Sequence, residues 1–301
     1  MRPAGPSPCS DAARDRDDPL IATAPPTRRW LLLEQHRAWP EKILTSHDLA
    51  GQVRPIVAAV AQYQGRVLFV RRPGRAAASG LRRWAVIDPI ARLELRGVWE
   101  PGPGLAEAVA AFAGQTPLAN PAQVRLLVCT HGKHDQCCAV RGRAVARHIA
   151  ARYPVETWEC SHVGGDRFAA NLIVLPSGTY YGGLDPDAVD AVLDAHRVRQ
   201  IPAAHLRGVT TVSPVGQAGL IGALRELGPG PLPIMRARVL PGGGPDRWQV
   251  EVAGHPRAKR VVVEVSRVVL PPARRTCRAA REEFAVSYAT RVVDPPGVGE
   301  G

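Results

Sequence analysis

The chain has no apolar run near the roughly 18–20 residues that a bilayer-crossing helix needs, and its opening residues, MRPAGPSPCSDAARDRDD, hold no apolar stretch for a signal peptidase to read. No membrane span or secretory leader is expected, and the sequence reads as that of a cytoplasmic protein. Lysine is scarce. Only Lys42, Lys133 and Lys259 occur, so the formal net charge of +12 is carried almost wholly by arginine. Such a surface favours acidic partners. The arginines are scattered, in Arg71-Arg72, Arg82-Arg83, Arg141 to Arg147 and Arg274-Arg275, with no helix-turn-helix, zinc-finger or aromatic-interleaved pattern. Nucleic acid is therefore not an expected partner. No Cys-x-x-Cys occurs anywhere, which argues against a thiol–disulfide oxidoreductase of that kind.

What the sequence does have is six cysteines. In a reducing compartment clustered thiols bind metal or do redox chemistry more often than they form structural disulfides. Four of the six, Cys129, Cys137, Cys138 and Cys160, fall between residues 129 and 166 together with His131, His134 and His162. That soft-ligand cluster reads as a metal or redox centre.

Around it the hydrophobic pattern outlines an α/β chain. Residues 1–20 mix Pro, Gly, Ser and Asp without period and are expected to form a disordered tail, with Cys9 a bystander. Residues 21–120 carry a strand at 30–33, a helix within 41–49, a second helix over 55–63, strands at 67–70 and 84–87, and an Ala-rich helix at 105–112. The turn Arg71-Arg72-Pro73-Gly74-Arg75 between those strands is read as a solvated loop that could also dock an acidic protein.

Residues 121–202 repeat this order more clearly. A strand at 124–128 runs into Cys129, a helix spans about 137–153, and a strand at 155–159 ends at Cys160. A hairpin at 171–181 follows, and Asp185-Pro186 caps a helix to about 196. This β-α-β-β-β-α order is that of a thioredoxin-like domain. Residues 203–293 read as a small α+β appendage, with a helix opened by Ser213-Pro214, three strand-like runs, and Cys277 in a basic segment. Residues 294–301 are expected to be a loose tail.

Cys129 stands where a strand ends and Cys138 opens a helix nine positions later, both places where backbone dipoles favour an outward thiolate. Adjacent Cys137 and Cys138 would strain to serve one metal atom, so one of them is expected to be spare. Cys160 and His162, two apart on an extended segment, share a face, and Asp166 follows across the Gly164-Gly165 turn.

In combination, Cys129-Thr-His-Gly-Lys-His-Asp-Gln-Cys-Cys138, Arg141-Gly-Arg143, Trp158-Glu-Cys-Ser-His162-Val-Gly-Gly-Asp166, and Leu175-Pro-Ser-Gly178 resemble the sucrase/ferredoxin-like family of thioredoxin-like [2Fe-2S] proteins. The stretches Thr27 to Glu34, Arg71-Arg-Pro-Gly74 and Arg82-Arg-Trp84 are similar to it as well. The resemblance implies a one-electron carrier with a cluster held by a Cys-x8-Cys pair and a His-x3-His pair. The first falls on Cys129 and Cys138. In the second, His162 matches, but Asp166 stands where the pattern has histidine. Either Asp166 ligates iron through oxygen, or Cys160 supplies a third thiolate and Asp166 supports His162 or Arg167. Imidazole in place of thiolate raises the potential, as in Rieske centres.

The rival reading is a non-enzymatic binding module stabilised by zinc on Cys129, Cys138, Cys160 and His162. No pair of carboxylates stands out for glycoside cleavage, so the chain reads as a carrier rather than a substrate-transforming enzyme. His131 and His134 could tune or replace a ligand, and the electron donor or acceptor would be an acidic redox protein.

Overall fold

A computed structural model describes residues 7–74, 81–101, 103–232 and 235–293. Residues 294–301, expected to be a loose tail, and Arg75 of the basic turn lie outside the described residues.

Short apolar runs buried on both faces make the central strands. In chain order the strands are β1 (Arg29–Glu34), β2 (Gly65–Arg71), β3 (Arg82–Asp88), β4 (Leu93–Trp99), β5 (Asn120–Pro121), β6 (Arg125–Cys129), β7 (Thr157–Cys160), β8 (Leu172–Leu175), β9 (Thr179–Tyr181), β10 (Gln200–Ile201), β11 (Leu206–Val209), β12 (Gly230–Pro231), β13 (Arg236–Val239), β14 (Arg247–His255), β15 (Ala258–Ala273) and β16 (Glu283–Val293). The α-helices among the described residues are α1 (Cys9–Asp15), α2 (Val53–Tyr63), α3 (Ala106–Phe112), α4 (Gln136–Arg152), α5 (Pro186–Arg197) and α6 (Pro214–Leu227). The chain is α/β, built on one large mixed sheet.

That sheet has ten strands in the order β11-β9-β8-β6-β7-β2-β1-β3-β4-β5. The β1–β2 and β6–β7 pairs are parallel, and the rest are antiparallel. The two stretches expected as successive lobes are joined in its middle, where β2 pairs with β7 through Val70↔Cys160 and Arg71↔Glu159. Local pattern could not reveal this pairing, because its partners are some 90 residues apart in sequence. Alternation then divides the core. Leu31 and Leu33 pack with α2 and α3, while Leu32 joins Leu127, Cys129, Cys138 and Cys160 in a second cluster. Leu126 and Val128 face a third, with Val145 and Ile149 of α4 and Val189 and Val192 of α5.

Several expectations need correction. The stretch 41–49 forms two short 3-10 turns, Ile43–Thr45 and His47–Leu49, rather than a helix, because Ser46 between them caps the second by accepting from the Asp48 amide. The appendage has four strands, in the order β13-β14-β15-β16, packed against α6. β11, placed with the appendage by its sequence position, belongs to the main sheet.

The stretch expected as a disordered tail contains α1, with Cys9 and Ala13 buried. Asp18 just beyond it is bridged by Arg167 at 3.2 Å and Arg275 at 2.9 Å. Composition argued for disorder because the stretch has few apolar residues of its own. Its order comes from partners more than 120 residues away.

Candidate metal centre

The centre lies where β6 and β7 end side by side. Cys129 and Cys160 are register partners, and the Thr130 amide donates to the Cys160 carbonyl at 3.1 Å. From Cys129 the chain turns through residues 130–135, with the His134 and Asp135 amides both donating to the His131 carbonyl at 3.1 Å. It enters α4 under a cap made by Asp135, whose Oδ1 accepts from the Cys137 amide at 2.9 Å. Gly142, in the second turn of α4, lets the helix lie against the strand end: a Cβ there would fall on the Cys129 carbonyl oxygen. This close approach sets the Cys138 thiol beside that of Cys129.

The second side is a turn clamped from below. Gly165 adopts φ 76°, and a Cβ on it would meet the Arg207 guanidinium. Arg207, buried on β11, donates to the Gly164 carbonyl at 2.8 Å, to Asn171 Oδ1 at 2.7 Å and to the Thr23 carbonyl at 2.7 Å. Burial brings its pKa down to about 10, which leaves it charged at neutral pH. Asn171 Nδ2 donates back to the Gly165 carbonyl at 3.0 Å. The turn between His162 and Asp166 is thereby fixed, and no local pattern pointed to Arg207 as the residue that fixes it.

Asp166 is the hub. The Cys138 thiol donates to its Oδ1 at 3.3 Å. His162 Nδ1 lies 2.9 Å from the same oxygen, and His134 Nε2 lies 3.7 Å from Oδ2. The two imidazoles stack at 3.6 Å between ring centroids. The ligand atoms of His134, His162 and Asp166 all fall within 4.8 Å of one another. His134, read from sequence as a loop histidine, is thus part of the centre. His131 stands behind it, its Nδ1 accepting from the His162 amide at 3.2 Å.

Electrostatics divide the labour. The neighbouring Cys138 thiol lowers the Cys129 pKa despite burial, while Cys138, beside Cys129 and Asp166, has its own pKa raised and stays protonated. Burial works to raise the Asp166 carboxyl, but His162, His134 and the Cys138 thiol overcome it and hold it below its ordinary value. Burial, with the neighbouring His134 and His162, takes His131 down to about 4, so it is neutral at physiological pH. Cys160 is wholly buried, and burial pushes its thiol well up. Between the two candidates for the remaining position, Asp166 touches Cys138 and His162. Cys160 makes no side-chain hydrogen bond among the described residues.

The donor set suits a soft metal centre. Two buried thiols stand at one end, and imidazoles with side chains 26–30 % exposed stand at the other. A buried carboxylate lies between them. Two ring nitrogens here, His131 Nε2 and His162 Nδ1, are buried without a hydrogen bond, since the His162–Asp166 approach is out of line for one. Buried unpartnered nitrogens are costly unless something else engages them. Cys137 points away from this centre, as the roughly 100° step between successive helical residues requires, and meets Cys9 and Cys277 instead.

Among the described residues no helix is long and apolar enough to cross a membrane. The model of the family described as Sucrase/ferredoxin-like matches residues 20–208, more than half of the chain, and the chain belongs to that family. No curated protein and no protein of known structure matches it.

Proposed function

From that membership we propose that the chain is a one-electron carrier, with a [2Fe-2S] cluster on Cys129 and Cys138 at one iron and on His162 with Asp166 at the other. The observation that supports this most directly is Asp166, held between the Cys138 thiol and His162. This contact favours Asp166 over Cys160 for the position where the family pattern has histidine. When bound, the cluster takes up and releases single electrons.

The chain's own residues do the rest. Of the two thiols of this centre, Cys129, with its lowered pKa, is the readier to lose its proton and ligate. His134 stacks on His162 and limits the rotation of its ring. Burial on the thiol side and partial exposure on the imidazole side make the His162 edge the face through which a partner would reach the centre.

A surface suited to an acidic redox protein lies near Thr130, the neighbour of Cys129. An open cleft of about 790 Å³ is lined by His36, Arg71, Arg72, Arg143, Arg147 and Glu159. Glu159 accepts from Arg71 at 2.7 Å and from the hydroxyl of Thr130, the neighbour of Cys129, at 3.2 Å. Positive charge of this kind speeds encounter with an acidic partner and loses its effect as salt rises.

Elemental analysis tests the proposal. Protein purified without air is expected to be red-brown, with iron and acid-labile sulfide each at about two per chain, as a [2Fe-2S] centre requires. Zinc bound by Cys129 and Cys138, with neither iron nor sulfide, would sink it in favour of a zinc-stabilised binding module.

A further inference from the structure

Three cysteines lie outside the centre described above, and all three meet at one point. Cys9 comes from α1, Cys137 from the first turn of α4, and Cys277 from the turn between β15 and β16. Their sulfurs form a triangle with sides of 3.7 Å (Cys9–Cys137), 3.3 Å (Cys137–Cys277) and 3.5 Å (Cys9–Cys277). Asp135, fully buried, closes the figure, with Oδ2 at 3.6 Å from the Cys9 sulfur. All four ligand atoms lie within 4.8 Å of one another.

We propose that Cys9, Cys137, Cys277 and Asp135 form a second, separate metal site, built for one tetrahedral Zn²⁺ that pins the first helix and the β15–β16 turn to the start of α4.

The dimensions carry the argument. With Zn–S near 2.3 Å and Zn–O near 2.0 Å, a tetrahedron has S···S edges of about 3.8 Å and S···O edges of about 3.5 Å. The three S···S edges and the Cys9–Asp135 S···O edge are within about half an ångström of these values, and the remaining two are no longer than 4.8 Å. Thiols packed merely as small hydrophobes would not enclose a buried carboxylate, whose desolvation is costly unless it is paired. A disulfide would use two sulfurs and leave a third thiol and the carboxylate unexplained.

The carboxylate is also oriented as a ligand should be. Asp135 Oδ1 accepts from the Cys137 amide at 2.9 Å, and Oδ2 accepts from the Cys277 amide at 2.8 Å. Binding would release to solvent the protons still held by the three thiols and form three Zn–S bonds and one Zn–O bond, with no change of oxidation state. The resulting net charge of −2 would sit at the positive end of the α4 dipole. Arg141, which donates to Ser10 beside Cys9 at 2.9 Å, adds neutralising charge.

The site also accounts for the adjacent Cys137-Cys138 pair, with one thiol facing each centre. It explains how a chain start poor in apolar residues is held in place. This inference does not depend on the iron–sulfur proposal, because it can be read in protein that carries no iron.

Metal analysis of the full chain, grown with added zinc sulfate, provides the test. About one zinc per chain is expected in the unaltered protein, and the same in Cys129→Ser, which should lack iron. Cys277→Ser and Cys9→Ser are each expected to cut zinc at least tenfold while leaving iron and sulfide at the unaltered level. Zinc that survives in Cys277→Ser and Cys9→Ser but vanishes in Cys129→Ser would overturn the assignment. So would a Cys137–Cys277 disulfide in protein handled without air. Should the Cys277 and Cys9 variants fail to fold, Co²⁺ loaded into Cys129→Ser decides the matter. Intense visible bands of a tetrahedral thiolate site support the proposal, and the weak bands of six-coordinate cobalt contradict it.

Discussion

Serine in place of Cys129 or of Cys138 is expected to leave the purified protein colourless, with iron and sulfide falling at least tenfold, whereas serine in place of Cys137 leaves both unchanged. Serine keeps the size and removes the soft donor, since its hydroxyl does not ionise near neutral pH and binds iron poorly in competition with thiolate. Both cysteines are buried at about 1 % exposure, and a buried hydroxyl in each place costs about 1–3 kcal/mol of stability. Circular dichroism and a melting curve therefore accompany the metal analysis, to separate ligand loss from unfolding. Cys137 is the internal control. It is adjacent in sequence and equally buried, but its sulfur meets Cys9 and Cys277 rather than Asp166. Colour lost in the Cys137 variant and kept in the Cys138 variant would reverse the ligand choice.

The second large effect concerns the position where this chain departs from the family pattern. Asp166→Ala is expected to lose at least half of the bound iron, while Cys160→Ala retains it. The carboxylate touches Cys138 and His162, whereas Cys160 is packed in the core with its thiol pKa raised by burial. Removing one core sulfur costs about 1 kcal/mol, an ordinary destabilisation. Asp166→His would restore the His-x3-His pattern. It should hold the cluster and raise its midpoint potential by on the order of 100 mV, because a neutral imidazole replaces an anionic oxygen. Potentiometric titration of the two proteins reads the shift. An unchanged potential in Asp166→His, together with iron retained in Asp166→Ala, would remove Asp166 from the ligand set.

Much of this was legible in the sequence where local physics decides. The run into Cys129 is β6, Asp185 caps α5 by accepting from the Ala188 amide at 2.9 Å, and Ser213 caps α6 by accepting from the Gly216 amide at 3.3 Å. The positions of Cys129, Cys138, His162 and Asp166 followed from strand ends, a helix start and a Gly-Gly turn. Elements with weak alternation were missed. β4 mixes exposed Arg96 and Val98 with buried Glu94, and β16 is mostly exposed and paired to β15 along its length.

Features made by distant partners were not legible at all. Arg207 under the Gly-Gly turn, the β2–β7 pairing and the meeting of Cys9 with Cys277 each join residues far apart in the chain. One clue was available in advance: neighbouring cysteines at the start of a helix point about 100° apart and so serve two different places.

The central claim is that two thiols, His162 and Asp166 hold a pair of irons that accepts one electron. Electron paramagnetic resonance of the protein reduced under anaerobic conditions tests it most directly. The account predicts a silent oxidised state and, on reduction, a spin-half signal of about one spin per chain from one cluster of coupled irons. A reduced protein that stays silent while its cysteines hold only zinc would contradict it.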